Sequence, residues 1–203
     1  MRLRGFVILI LLLLVGTGLG LAFYVRSHGF SARAEPSRAE AFVARRVRTF
    51  AIPGDARNAS NPVRSSLELL SEAMEHFADH CATCHGNDGS GQTLYGKGLY
   101  PKPPDMRQSE TQNLTDGEIY WIIHNGIRFT GMPAFGEDKP GVPDEDSWKL
   151  VHFIRHLPKI TEEELQTMKQ WNPKSPADLE EEEQIQKFLA GEDTSGEKPT
   201  HHH

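Results

Sequence analysis

Cys81-Ala82-Thr83-Cys84-His85 reads C-x-x-C-H, and its two cysteines are the only ones among 203 residues. This is the spacing of covalent c-type haem attachment. Two thiols separated by two residues reach the two vinyl groups of one haem. The histidine that follows is placed beneath the iron as proximal ligand. Other uses of a C-x-x-C lack their parts here. A zinc site needs a second C-x-x-C or Cys/His pair to complete it. A thioredoxin-like dithiol needs a surrounding βαβ pattern.

The flanking sequence reads as helices and loops. Upstream, Leu67, Leu70, Met74 and Phe77 recur at helical intervals, one apolar stripe running into the motif. Downstream, Gly86, Gly89, Gly91, Gly96 and Gly98, with several prolines, predict a loop as far as Pro104. Thr115-Asp116-Gly117-Glu118 is a capping box that opens a helix through Ile119, Ile122 and Ile123, ended by Asn125-Gly126. A second loop carries Gly131, Pro133, Gly136, Pro140, Gly141 and Pro143. Asp144 or Asp146 then caps a helix with Trp148, Val151, Ile154 and Leu157, stopped by Pro158. Thr161 to Glu164 forms another capping box, and Ser175-Pro176 starts a last helix with proline at its first position.

The expected fold class is therefore all-α, a helical domain over residues 65–160 around one haem. A helical appendage follows over 161–190, marginal on its own. Residues 191–203 read as a disordered tail. His201 to His203 lack a fixed scaffold and give no defined metal geometry.

Residues 1–25 decide the compartment. Arg2 and Arg4 precede an uncharged run over residues 6–25, and twenty helical residues span about 30 Å, the thickness of a bilayer's hydrocarbon core. The run predicts a transmembrane anchor. A cleaved signal peptide is the alternative, because Ala32-Arg33-Ala34 has the A-x-A form. The intervening Arg26, His28 and Arg33 and the length of the run favour the anchor. Residues 26–64 then form an Arg-rich tether, with a short amphipathic helix around residues 39–50. Eight arginines lie in residues 26–64, after the apolar run, and the positive-inside rule alone would keep that side in the cytoplasm. Haem attachment requires export in bacteria, and the specific motif outweighs the charge tendency. The arginines are then expected along anionic headgroups on the outer face.

Charge is unevenly divided. Residues 1–64 hold 10 basic and 3 acidic side chains, net +7, whereas residues 65–160 carry −6 and residues 161–203 carry −7. An acidic haem region implies redox protein partners with basic docking surfaces, although the same charge also serves solubility. Nothing points to nucleic acid.

What occupies the iron's far side decides between electron transfer and ligand chemistry. The candidates are Met106, His124, Met132, His152, His156 and Met168. Residues 126–136 read GIRFTGMPAFG, placing Met132 between a glycine and a proline, in a loop rather than on an apolar helix face. That context favours a ligand over core packing, and a thioether favours Fe(II) and raises the potential. Met106, in Pro103-Pro104-Asp105-Met106, is the main rival. His152 and His156 stand at i, i+4, a spacing able to bind metal, but with no third ligand they read as a solvated helix face.

CATCHG after an amphipathic helix, a Gly/Pro loop, a helix, then GMPAF and a helix carrying Trp148 resembles the class I c-type cytochromes, most of all the small monohaem domains of bacterial respiratory chains. The resemblance covers about Ser65 to Pro158. It implies one covalently bound haem c, held by Cys81 and Cys84, with His85 and Met132 as axial ligands of the iron, and one-electron transfer. It also implies a proline carbonyl accepting the N–H of His85, from Pro101, Pro103 or Pro104, with Pro104 taken forward. It implies a close crossing of the first and last core helices. Trp148 or Phe153 would supply the aromatic, and Ala73 or Ala78 would replace the family's glycine.

The expected role is an electron carrier rather than an enzyme, with no small-molecule substrate, at the periplasmic face of a bacterial inner membrane. Two alternatives stand beside it. One is a fixed subunit of a larger respiratory or dehydrogenase complex. The other is a haem-based ligand sensor with a displaceable Met132. A dihaem peroxidase would need a second C-x-x-C-H.

Overall fold

The computed structural model describes residues 2–136, 144–174 and 176–189. Pro140, Gly141, Pro143, Ser175 and the tail over 191–203 with His201 to His203 lie outside the described residues. Every element is helical, and among the described residues there is no strand.

The N-terminal half contains α1 (Arg2–His28), α2 (Arg38–Ala51) and α3 (Gly54–Arg57). Helix α1 is long and apolar enough to cross a membrane, and none of its length is buried by the rest of the chain. A signal sequence would have the same character. Helix α2 is N-capped by Ser37, whose hydroxyl accepts from the Glu40 N–H at 3.2 Å.

The tether is not uniform. Its second half packs onto the helical body, with Ile52 buried. The Asn61 side-chain amide donates to the Trp148 carbonyl at 3.0 Å. Thr115 Oγ1 donates to the Arg57 carbonyl at 2.7 Å. A Cβ at Gly117 would stand 2.0 Å from the Ala56 carbonyl oxygen, so only glycine admits this approach. Buried Glu118 closes the Thr115 capping box and pairs with Arg57 at 3.2 Å.

The body comprises α4 (Leu67–His76), α5 (Ala82–His85), α6 (Leu94–Gly98), α7 (Ser109–Gln112), α8 (Asp116–Asn125), α9 (Glu145–His156), α10 (Glu162–Lys169) and α11 (Pro176–Leu189). Each expected cap on α8, α9 and α10 is formed, with Asp144 rather than Asp146 capping α9. The loop expected between Gly86 and Pro104 contains one short helix, α6, capped by Thr93.

The core lies where α4 packs against α9. Ala73, Met74, Phe77, Ala78, Cys81 and Ala82 follow helical spacing and are all buried. Leu67, at the start of the expected stripe, is exposed, because the helix meets the core only from Leu70 onward. Phe153 is 0% exposed and its ring lies 4.8 Å from that of Phe77. Trp148 stacks instead on Tyr120 of α8, centroids 4.1 Å apart. Met168 of α10 is fully buried in the same core, and Trp171 packs against it. The first residues after 160 thus contribute to the core.

The Phe77–Phe153 contact gives a direct test. Phe153→Ala is expected to lower the free energy of unfolding by about 3–5 kcal/mol, read by guanidinium titration of the haem-loaded protein. A loss below about 1 kcal/mol would mean this ring does not organise the core.

Candidate functional site

The C-x-x-C-H motif emerges from α4 through a wide π-helical turn, Phe77–Cys81, in which the Ala82 N–H reaches back to the Phe77 carbonyl. Such turns add one residue per hydrogen-bonded loop and often sit at functional sites. Helix α5 then carries Cys84 and His85. The buried stripe of α4 continues through Cys81 and Ala82 to His85, all within 9% exposure.

The two thiols are unpaired, Cys81 buried and Cys84 half-buried. Burial, with Cys84 beside it, pushes the Cys81 thiol up to about 12. Burial likewise pushes the His85 imidazole down to about 4, so it is neutral across physiological pH, as a metal ligand must be. His85 Nδ1 is buried and makes no hydrogen bond. The proline carbonyl expected for it does not reach it from Pro101, Pro103 or Pro104. The Pro103 carbonyl instead lies against Gly91, 2.6 Å from where a Cβ would stand.

The loop after the motif folds back to satisfy its backbone. Gly91 N–H donates to the His85 carbonyl at 2.7 Å, and Thr93 Oγ1 donates to the Cys84 carbonyl at 3.1 Å. At Gly96 a Cβ would stand 2.5 Å from both the Cys84 and Gly91 carbonyl oxygens, which no side chain allows.

A second clamp comes from far along the chain. The Asn172 side-chain amide donates to the Ala78 carbonyl, inside the π-helical turn, and to Asn87 Oδ1, both at 3.0 Å. Asn87 returns a bond to Asn172 Oδ1 at 2.8 Å. No local pattern marks either residue, because the partners lie 85 and 94 positions apart.

Met132 is half-buried in a loop folded against the end of α8. Ile127 N–H donates to the Met132 carbonyl at 3.1 Å and Phe135 N–H to the Ile123 carbonyl at 3.1 Å. Gly126 takes φ +66° with the Met132 and Pro133 backbone against it, a conformation and a closeness that require glycine. Gly131 packs on Leu99, which follows α6, and Gly136 packs on the His124 ring.

The rival ligands have other partners. Met74, Met106 and Met168 are buried in the core, and the Met106 carbonyl accepts from the Gln112 side chain at 2.7 Å. His124 meets Asp144 at 2.7 Å, His152 donates to the Val63 carbonyl at 2.8 Å, and His156 meets Glu164 at 2.9 Å. His152 and His156 are half-buried rather than fully solvated.

Two free thiols at vinyl spacing and a buried neutral imidazole are the donor set of a covalently attached haem, and the site fits that group. The stretch around this turn, residues 68–154, is a class I c-type cytochrome-like domain. Residues 68–154 match the family described as cytochrome C oxidase, cbb3-type, subunit III, so this stretch is the part of the chain that carries the cytochrome domain. No curated protein matches the chain. Among solved structures, one chain of the Kuenenia stuttgartiensis reducing HAO-like protein complex is similar at 21% identity and a TM-score of 0.41, covering 49% of this chain and 49% of that one. The chain thus spans about half the length of that solved relative.

Two outcomes test this description. Asn172→Ala removes a side-chain clamp from the attachment turn and is expected to lower stability by about 1–3 kcal/mol, with faster amide exchange in residues 78–87. The second concerns Asp144. Burial alone would raise its pKa, but hydrogen bonds from Ser147 and His124 outweigh it and hold the carboxyl below its usual range. Its stabilising contribution is therefore complete above the ordinary carboxylate value of about 4 and is lost as pH falls through the lower folded value. Thermal unfolding from pH 5 downward should show a shallower acid loss in Asp144→Asn than in the parent.

Proposed function

We propose that the chain is a membrane-anchored monohaem c-type cytochrome that carries single electrons between respiratory partners at the periplasmic face of a bacterial inner membrane. The carrying observation is the C-x-x-C-H turn, with its buried, neutral His85, inside the segment that matches a c-type cytochrome family. In this reading Cys81 and Cys84 would hold the haem by thioether bonds, and His85 and Met132 would ligate its iron. Bound there, a haem supplies a one-electron Fe(III)/Fe(II) couple.

The residues of the chain do the positioning. The π-helical turn and the Asn87–Asn172 clamp fix the direction of α5 and hence of His85. Packing of Ala78, Cys81 and Ala82 excludes water from the proximal side. Met132 is supported as distal ligand because the other described methionines are engaged in the core, while its own loop is pinned to α8 at Gly126 and Phe135. No acid or base group is needed for such a step. Helix α1 supports the anchor, which holds the carrier in two dimensions and raises its effective concentration toward membrane partners.

A second reading, a fixed subunit of a respiratory or dehydrogenase complex, is favoured by one specific observation, the description of the matched family as a subunit of an oxidase. Mild detergent extraction separates the two: a lone, stable monomer supports the free carrier, and copurifying subunits support the complex.

The ligand assignment is tested optically. The oxidised parent is expected to show the weak far-red band of methionine bound to ferric haem, and Met132→Ala to lose it. The ferrous parent should resist carbon monoxide, whereas Met132→Ala should bind it. Absence of the band from the parent, or ready carbon monoxide binding by it, would overturn the closed-iron carrier and favour the sensor.

A further inference from the structure

Helix α2 meets two environments. Toward the body, Ala41, Arg48 and Thr49 are half-buried, Tyr100 donates to Glu40, and Arg57 donates to the Thr49 carbonyl. On the opposite side Val43, Val47 and Phe50 stand at i, i+4 and i+7, one face of a helix, with Phe42 beside them. These four side chains are 55–88% exposed, and no residue of α2 is buried. Phe30, in the connection from α1, is 92% exposed. A continuous apolar stripe left in water marks an interaction site.

Charge and position on the chain choose its occupant. Helix α2 carries Arg38, Arg45, Arg46 and Arg48 against the single acid Glu40, and the Arg46 guanidinium sits 5.2 Å over the Phe42 ring. Nine residues separate the end of α1 from the start of α2, a linker that reaches at most about 30 Å when fully extended. An apolar stripe edged by arginine beside a membrane span has the character of a helix lying in the interface. From these observations we propose that α2 lies in the headgroup layer of an anionic bilayer, with Val43, Val47 and Phe50 inserted and Arg46, at the edge of that stripe, on lipid phosphates. This rests on the anchor reading of α1. The face of α2 toward Tyr100 then sets the tilt of the haem domain over the membrane, through Glu40 and through Lys102, which donates to the Ala32 carbonyl at 3.2 Å. Lipid phosphates on the exported side then offset the arginine that edges the stripe of α2, whereas Arg57 is already paired with Glu118.

The test uses the full-length, haem-loaded protein in nanodiscs of phosphatidylcholine alone or mixed with phosphatidylglycerol. Tryptic cleavage after Arg45 and Arg46 is followed by mass spectrometry, with cleavage after Lys169 as internal reference. Anionic discs are expected to slow cleavage after Arg45 and Arg46 by about tenfold, and Val43→Asp/Phe50→Asp to abolish the protection with the haem spectrum unchanged. Equal rates on the two disc types, with α1 present by intact mass, would overturn the proposal. Protection that appears only with two chains per disc would also overturn it, by assigning the face to a second copy. Loss of α1 from the purified protein would instead remove the anchor reading itself.

Discussion

A neutral imidazole must be held out of water at the end of a helix, and most of the structure follows from that requirement. His85 is the last residue of an apolar stripe that begins on α4, and burial alone keeps it uncharged at physiological pH. A buried histidine without a hydrogen bond at Nδ1 is costly in an ordinary core. The cost is offset by the packing of the same stripe on α9, where Phe77 and Phe153 meet. Helix α9 is itself tied down by Arg155, which reaches Asp116 at 2.9 Å and the carbonyls of Gln112 and Leu114. One guanidinium thus satisfies the end of α7 and the start of α8.

The His85 segment and the Met132 segment are built by different means. The first is helix, held by packing. The second is a loop, held by backbone hydrogen bonds and glycines that admit close approach. The two meet where Gly131 packs on Leu99, so the loop that follows the cysteines also carries the loop that presents Met132.

Much of this was legible because its causes are local. The capping boxes at Thr115 and Thr161 depend on residues three apart, and both formed as read. The short amphipathic helix expected around residues 39–50 is α2, over Arg38–Ala51. The helical body, the apolar run and the attachment turn needed no long-range knowledge. What stayed hidden involves partners distant in sequence. Nothing local marks Asn172 as the clamp on Ala78, Arg57 as the partner of Glu118, or Met168 as core. The choice of Phe153 over Trp148 against Phe77 is likewise a matter of tertiary packing, because Trp148 stacks on Tyr120. Met132 stood out in the sequence through its loop context, and the structure adds that the other described methionines are taken up by the core.

The Asn172 clamp has a consequence in time as well as in space. A chain emerges N-terminus first, so Cys81 and Cys84 are exposed well before Asn172 exists to bond the Ala78 carbonyl. During that interval the cysteine turn lacks this bond, and the Ala78 carbonyl is met only when a residue 94 positions further along has folded back onto it.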